Sequence, residues 1–208
     1  MNDGICISTA IGDPSNLRPF KHSFSGENQR KAGLEWAQKN LDGEPLGAEL
    51  FPNEIWGISS AEEKDYDLPA IFLGGSYCVV SAAAATILRQ FNLGRGALYP
   101  VNVLKNDRAT KVGGEWFCIN FGNRKSAFTP EHSFRFRHDY IRNGQKGWFP
   151  RLPYRDNDFA LLSTALDGPD IWIDPDVGDA FFVSDALAKA LKKAKADKGF
   201  FLSKCRVI

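Results

Sequence analysis

The sequence predicts an α+β domain, a mostly antiparallel sheet with a few helices, occupying residues 1–208 as one unit. Three observations predict it. Strand candidates outnumber helix candidates, and the two alternate irregularly along the chain. A strand–turn–strand–helix–strand unit is written twice, at 68–104 and at 168–208, behind an N-terminal region, 1–67. The composition, 43% hydrophobic and 25% charged over 208 residues, is that of a globular chain long enough to bury a sizeable core. It excludes disorder, collagen-like repeats and coiled coils.

Taken in order, Ile5–Thr9 is a short apolar strand, followed by a loop with Pro14 and Pro19. Glu27–Leu41 is helical: Ala32, Trp36, Ala37 and Leu41 fall at compatible spacings, Ser25 precedes as a cap and Gly43 follows as a stop. Residues 42–67 are loop-rich and acidic around a short strand at Glu54–Ile58. Between the two repeated units, Glu115–Phe121 is a strand. Ser133–His138 alternates, which predicts Phe134 and Phe136 on a core face and Arg135 and Arg137 on a basic outer face. Trp148, Phe149, Pro150, Pro153 and Tyr154 suggest a packed irregular loop, and Phe159–Ala165 is either a strand or a short helix.

The repetition rests on matched detail. Ile71-Phe72-Leu73 and Ile171-Trp172-Ile173 open the two units. A Gly- or Asp-rich turn follows each, and then a strand ending in Val-Ser, at Val80-Ser81 and Val183-Ser184. A helix-forming stretch and a closing strand complete both. Either serine suits a helix N-cap, because its hydroxyl can accept from an otherwise orphan amide. Asp185 near the start of the second helix, and Lys192 and Lys193 near its end, suit the helix dipole.

The motifs point away from chemistry. Ser81 and Ser184 lie in no GxSxG elbow, and capping explains both. His22, His132 and His138 lack metal-ligand spacing, and Cys6, Cys78, Cys118 and Cys205 form no CxxC pair. The acids of Asp174-Pro175-Asp176-Val177-Gly178-Asp179 read as turn residues rather than a calcium loop, which would end in a bidentate glutamate. The glycines make no phosphate loop. No catalytic residue, metal or cofactor is expected. The first residues carry no basic or long apolar leader, and the longest apolar stretch, Tyr77–Leu88, is too short to span a bilayer. A cytoplasmic protein with reduced thiols is the expectation.

The net charge of +1 hides strong blocks. Residues 42–67 carry eight acids and one base, and 156–185 carry eight acids and no base. Residues 124–155 carry eight bases and two acids, and 186–208 carry seven bases and one acid. Such blocks either neutralise each other on folding or form patches that steer a charged partner. The near-neutral total argues against a dedicated nucleic-acid binder.

The segment from Asp170-Ile171-Trp172-Ile173 through Phe182-Val183-Ser184-Asp185-Ala186-Leu187 to Cys205-Arg206-Val207-Ile208 resembles the type-eleven immunity-protein family of bacterial polymorphic toxin systems. The upstream resemblance runs from Ile71 through Val80-Ser81 and Leu98-Tyr99-Pro100-Val101 to Trp116-Phe117-Cys118-Ile119-Asn120. It departs at Ala82, where a polar residue is expected after the serine. Residues 1–60 are not placed by it. The resemblance implies a cytoplasmic protein that binds and blocks a cognate toxin, with no active site of its own.

Two functions follow as expectations. In the first, the chain neutralises a toxin by direct occlusion. The acids Glu62, Glu63, Asp65, Asp67, Asp174, Asp176 and Asp179 then face a basic partner such as a nuclease domain. In the second, Arg135, Arg137, His138, Arg142, Lys146 and Trp148 hold the phosphates and bases of a nucleic acid or nucleotide. A third possibility is a structural module that dimerises through an exposed repeat edge.

Overall fold

The computed structural model describes residues 4–24, 26, 29–57, 67–140, 146–151 and 153–208. The first half of the chain forms β1 (Ile5–Ser8), β2 (Leu17–Arg18), β3 (Phe20–His22), α1 (Arg30–Leu41), β4 (Glu54–Gly57), β5 (Ile71–Gly74), β6 (Tyr77–Ser81), α2 (Ala82–Leu88) and β7 (Ala97–Leu104). The second forms β8 (Trp116–Asn120), β9 (Phe136–Tyr140), β10 (Lys146–Pro150), β11 (Ala160–Leu161), β12 (Ile171–Trp172), β13 (Phe181–Ser184), α3 (Asp185–Lys193), β14 (Leu202–Lys204) and β15 (Arg206–Val207). Most pairings are antiparallel, so the fold is α+β.

The same ladder is built twice, in two separate sheets. Ile71 opposes Val80 as Ile171 opposes Val183. The amide of Ser81 donates to Ala70 O at 3.0 Å, and that of Ser184 to Asp170 O at 2.9 Å. On the other side of each junction, Ser81 opposes Trp116 and Ser184 opposes Ile5. Ala82 N donates to Glu115 O, and Asp185 N to Gly4 O, both at 2.8 Å. The outer strands continue the correspondence. The parallel pair Glu54–Asn102 matches Ala160–Arg206, and the antiparallel pair His22–Ile55 matches Phe128–Leu161.

The correspondence therefore extends well beyond 68–104 and 168–208, to two halves running from Ile5 to Leu104 and from Trp116 to Ile208. It also carries an exchange. β1, from the first half, lies between β13 and β14 of the second, while β8, from the second, lies between β6 and β7 of the first. Neither half can leave the other without breaking four ladders, two at β1 and two at β8.

Side-chain alternation explains why both sheets are stable. Val80, Ala84, Ala85 and Leu88 meet their counterparts Val183, Leu187, Ala188 and Leu191 in one central cluster, where α2 packs on α3. The opposite faces are buried too, with Phe72, Tyr77, Val79 and Cys118 under one sheet and Ile7, Trp172, Ala180 and Phe182 under the other. Strands covered on both faces read as continuous apolar runs, which is how β6 and β13 appear in the sequence. The β5–β6 turn needs Gly75 and Ser76 at positive φ, 59° and 75°, the signature of a tight type I′ hairpin.

Buried amides tie the halves together. Asn123 donates from Nδ2 to Leu93 O, Phe121 O and Ile171 O at 2.7, 2.9 and 3.1 Å, and its Oδ1 accepts from Arg95 N at 3.0 Å. Its counterpart Asn16 donates to Ala10 O and Gly199 O at 3.1 and 2.7 Å. The glycines beside them approach the other half closely. A Cβ on Gly94 falls 3.0 Å from Pro169 Cβ, and one on Gly199 falls 3.0 Å from Pro69 Cβ.

Several local expectations change. The described part of the first helix begins at Arg30; Ser25, Glu27 and Asn28 lie outside the described residues. Phe134 is 60% exposed rather than in the core, because Arg135 takes a positive φ of 57° and breaks the alternation before β9 begins. Trp148-Phe149-Pro150 is strand, paired with Phe136–His138, rather than irregular loop. Phe159–Ala165 contains both a short strand, β11, and the start of a 3-10 turn at Ser163–Leu166.

All four cysteines are buried free thiols, and burial pushes Cys6 up to about 11 and Cys78 to about 12. Native protein at pH 8 is therefore expected to leave all four unmodified by iodoacetamide, while denatured protein reacts at four sites. Intact-mass analysis reads the difference. The pH dependence has a sign. A thiol raised in the folded state favours folding below its unfolded pKa and loses that contribution as pH rises through the folded one. Thermal stability is expected to fall above about pH 9 through these groups. Lys125 works the other way: loss of water on burial lowers it to about 8 despite the nearby charges of Asp170 and Asp167, so its contribution is lost as pH falls through that value.

Candidate functional site

The two halves differ in several places, among them the stretch from Ile55 to Ile71, 16 positions against 10 from Leu161 to Ile171; three other differences bear on one site. Between the shared first strand and the buried asparagine, Ile5 to Asn16 spans 11 positions where Trp116 to Asn123 spans 7. Between the paired residues of the repeated hairpin, Ile171 to Val183 spans 12 positions where Ile71 to Val80 spans 9. The third difference is one of structure rather than length. His22 to Ile55 and Phe128 to Leu161 each span 33 positions, but the first segment folds as helix α1 and the second as the β9–β10 hairpin.

The longer variants and the hairpin meet. Together they line a solvent-open cleft of about 290 Å³. Thr9, Gly12 and Asp13 come from the long N-terminal loop, Asp179 from the long β12–β13 loop, and Arg137, Phe149, Pro150 and Arg151 from the hairpin and its exit. Loops positioned by a rigid scaffold are where binding residues concentrate.

Close packing holds the walls in place. A Cβ on Gly12 falls 2.7 Å from Asp179 Cβ, so only glycine lets the two loops touch. Asp179 has a positive φ of 57°, which aspartate tolerates better than most residues. Asp13 Oδ1 accepts from the amide and hydroxyl of Ser15 at 2.8 and 2.6 Å. The hairpin is pinned to the β12–β13 loop, with Trp148 N donating to Asp176 O at 2.8 Å and Gly178 N to Trp148 O at 2.9 Å. Thr9 and Tyr154 share a hydroxyl–hydroxyl hydrogen bond, and Tyr154 also donates to Phe201 O at 3.0 Å.

The acids expected to face a partner are dispersed. Asp176 and Asp179 are exposed beside the hairpin. Asp67 is exposed and ion-paired with Lys198 at 2.8 Å; that hydrogen bond holds its carboxyl below the usual range. Glu62, Glu63 and Asp65 lie outside the described residues.

Asp174 must be removed from the surface set. It is fully buried, with Oδ2 accepting from Ala127 N and Phe128 N, both at 2.8 Å, and Oδ1 accepting from Asp176 N at 3.0 Å. Burial raises its pKa, and the three amide bonds oppose that rise. Its role is to anchor the loop that carries Asp176 and Asp179.

The basic set also divides. Opposed residues on an antiparallel pair share a face. Arg137 opposes Phe149, with its guanidinium 5.3 Å from the ring centre, on the face that lines the cleft. His138 opposes Trp148, ring centres 4.3 Å apart, on the other face. Trp148 is committed to an aromatic cluster with Phe136 and Phe128. Lys146 is exposed at the start of β10, and Arg135 sits 3.7 Å from Asp158. Arg142 lies outside the described residues. Ser81 and Ser184 are helix caps, accepting from Ala84 N at 3.4 Å and Leu187 N at 3.2 Å.

Sequence reasoning missed Thr9, Gly12, Asp13, Phe149, Pro150 and Arg151 as parts of one site. They come from separated segments, and only the exchange of β1 brings the first three beside the second half. No protein-family model matches the chain, and no curated protein matches it in sequence. Among the described residues, no helix is long and apolar enough to cross a membrane.

Proposed function

We propose that this chain is an immunity protein that binds a cognate bacterial toxin in the cytoplasm and neutralises it by direct occlusion. The observation that carries the reading is the convergence of three departures from the repeat on one charged, solvent-open cleft. A twofold-repeated scaffold needs no such departures for stability, and a rigid scaffold presenting charged loops suits recognition of a protein surface. The likeness of the Val-Ser–helix units to type-eleven immunity proteins supports the same function. The phosphate-binding alternative is weaker, because the described members of its basic set divide between opposite faces of one hairpin.

A basic toxin, such as a nuclease domain, suits the exposed Asp176 and Asp179. Replacing both by asparagine keeps a residue that accepts positive φ at 179. It is expected to slow association with the toxin by about 10-fold at low salt, and much less at high salt. Stopped-flow or surface-plasmon measurements at two ionic strengths read this. An unchanged on-rate at low salt removes these acids from the interface.

A further inference from the structure

We propose that the cleft between the N-terminal loop and the β9–β10 hairpin receives a short polypeptide segment that carries one acidic and one basic side chain. The inference rests on the immunity reading for the source of that segment, which is the toxin.

The cleft's charges come in two sets. Arg137 and Arg151 stand on the hairpin side, and Asp13 and Asp179 stand on the two loops. Opposite charges facing one space reward a ligand that presents both signs. A ligand of a single sign meets one favourable wall and one repulsive wall. Phe149 and Pro150 add apolar surface between them, against which a peptide backbone or an alkyl stem can lie. At about 290 Å³ the cleft is at the small end of ligand sites, fit for a few side chains rather than a folded domain. Its shape is fixed beforehand by the Gly12–Asp179 contact and by the backbone bridge from Trp148 to the 176–178 loop, so little ordering remains for binding to impose.

The test uses the full chain, labelled with nitrogen-15, and three blocked tetrapeptides: Lys-Gly-Gly-Glu, Lys-Gly-Gly-Lys and Glu-Gly-Gly-Glu. The expected result is a saturable shift of the amides of Gly12, Arg137, Arg151 and Asp179 by the two-signed peptide, with an affinity at least about fivefold above that for either like-charged peptide. The double variant Arg137→Gln/Arg151→Gln, altering two exposed side chains, is expected to abolish the preference. Asp179→Asn tests the other wall with a residue that keeps the loop conformation, and is expected to reduce it. Equal response to all three peptides, shifts confined to other surfaces, or no saturable response overturns the proposal. Its failure is distinguishable from failure of the immunity reading. A chain that protects against a toxin yet ignores the two-signed peptide contradicts only the cleft assignment. A chain that binds the peptide and protects against nothing contradicts only the immunity function.

Discussion

Asn123→Asp is expected to lower the folding free energy by roughly 4 kcal/mol or more, enough to leave much of the protein unfolded at 37 °C. The change is nearly isosteric, so its effect is one of hydrogen bonding. Asn123 Nδ2 serves the carbonyls of Leu93, Phe121 and Ile171, and Oδ1 serves the amide of Arg95. A carboxylate keeps the last bond and turns an acceptor toward three carbonyls in a buried site. Asn123→Ala loses the bond from Arg95 N as well but adds no charge, and is expected to cost about 3 kcal/mol. The order of the two variants in urea unfolding is the diagnostic. Aspartate more stable than alanine contradicts the assignment of Nδ2 as the atom that faces the three carbonyls. Because Ile171 belongs to the second hairpin and Leu93 to the loop after α2, the loss falls on the junction between the halves. Unfolding is expected to remain one cooperative transition, since β1 and β8 prevent either half from melting alone.

Asp174→Ala is the second large effect. The buried amides of Ala127 and Phe128 and the partly buried amide of Asp176 lose this acceptor. The cost is about 3 kcal/mol or more. Asp174→Asn is expected to fall between alanine and the native residue. Its carbonyl can accept from Ala127 and Phe128, but its amide then faces Asp176 N. The two substitutions also carry a functional consequence. Freed from this anchor, the loop bearing Asp176 and Asp179 no longer holds its wall of the cleft. Hydrogen exchange is expected to speed up at residues 176–179 and at Trp148, whose amide bonds to Asp176 O, before it does so in α2 or α3. Uniform acceleration throughout contradicts a local anchoring role.

These effects also show which features were readable from sequence. The repeated hairpin and the two serine caps were legible because they are local: an apolar run, a turn and a good capping residue within a few positions. The exchange of β1 and β8 was not, because the partners of a strand are chosen by packing across a hundred residues, and four or five apolar residues fit many ladders. The first parts of the halves concealed their correspondence because equal-length segments after His22 and Phe128 adopt a helix in one case and a hairpin in the other. Asp174 and Asp176 flank one proline and look alike in sequence, yet one side chain turns inward to three amides and the other remains in solvent. Phe134 leaves the core through a single residue, Arg135, whose positive φ resets the strand alternation. The cleft was hidden for the same reason as the exchange, since its walls come from three distant stretches.

The central claim is neutralisation of a toxin by binding. It is tested most directly by expressing a candidate toxin, taken from the genes that neighbour this one, in cells with and without this chain, and by measuring survival together with complex formation from the two purified proteins. The account predicts survival only when the chain is present, and a stoichiometric complex with submicromolar affinity that weakens when Asp176 and Asp179 are neutralised. Death of the cells despite abundant folded protein, with no complex at tens of micromolar, would contradict it.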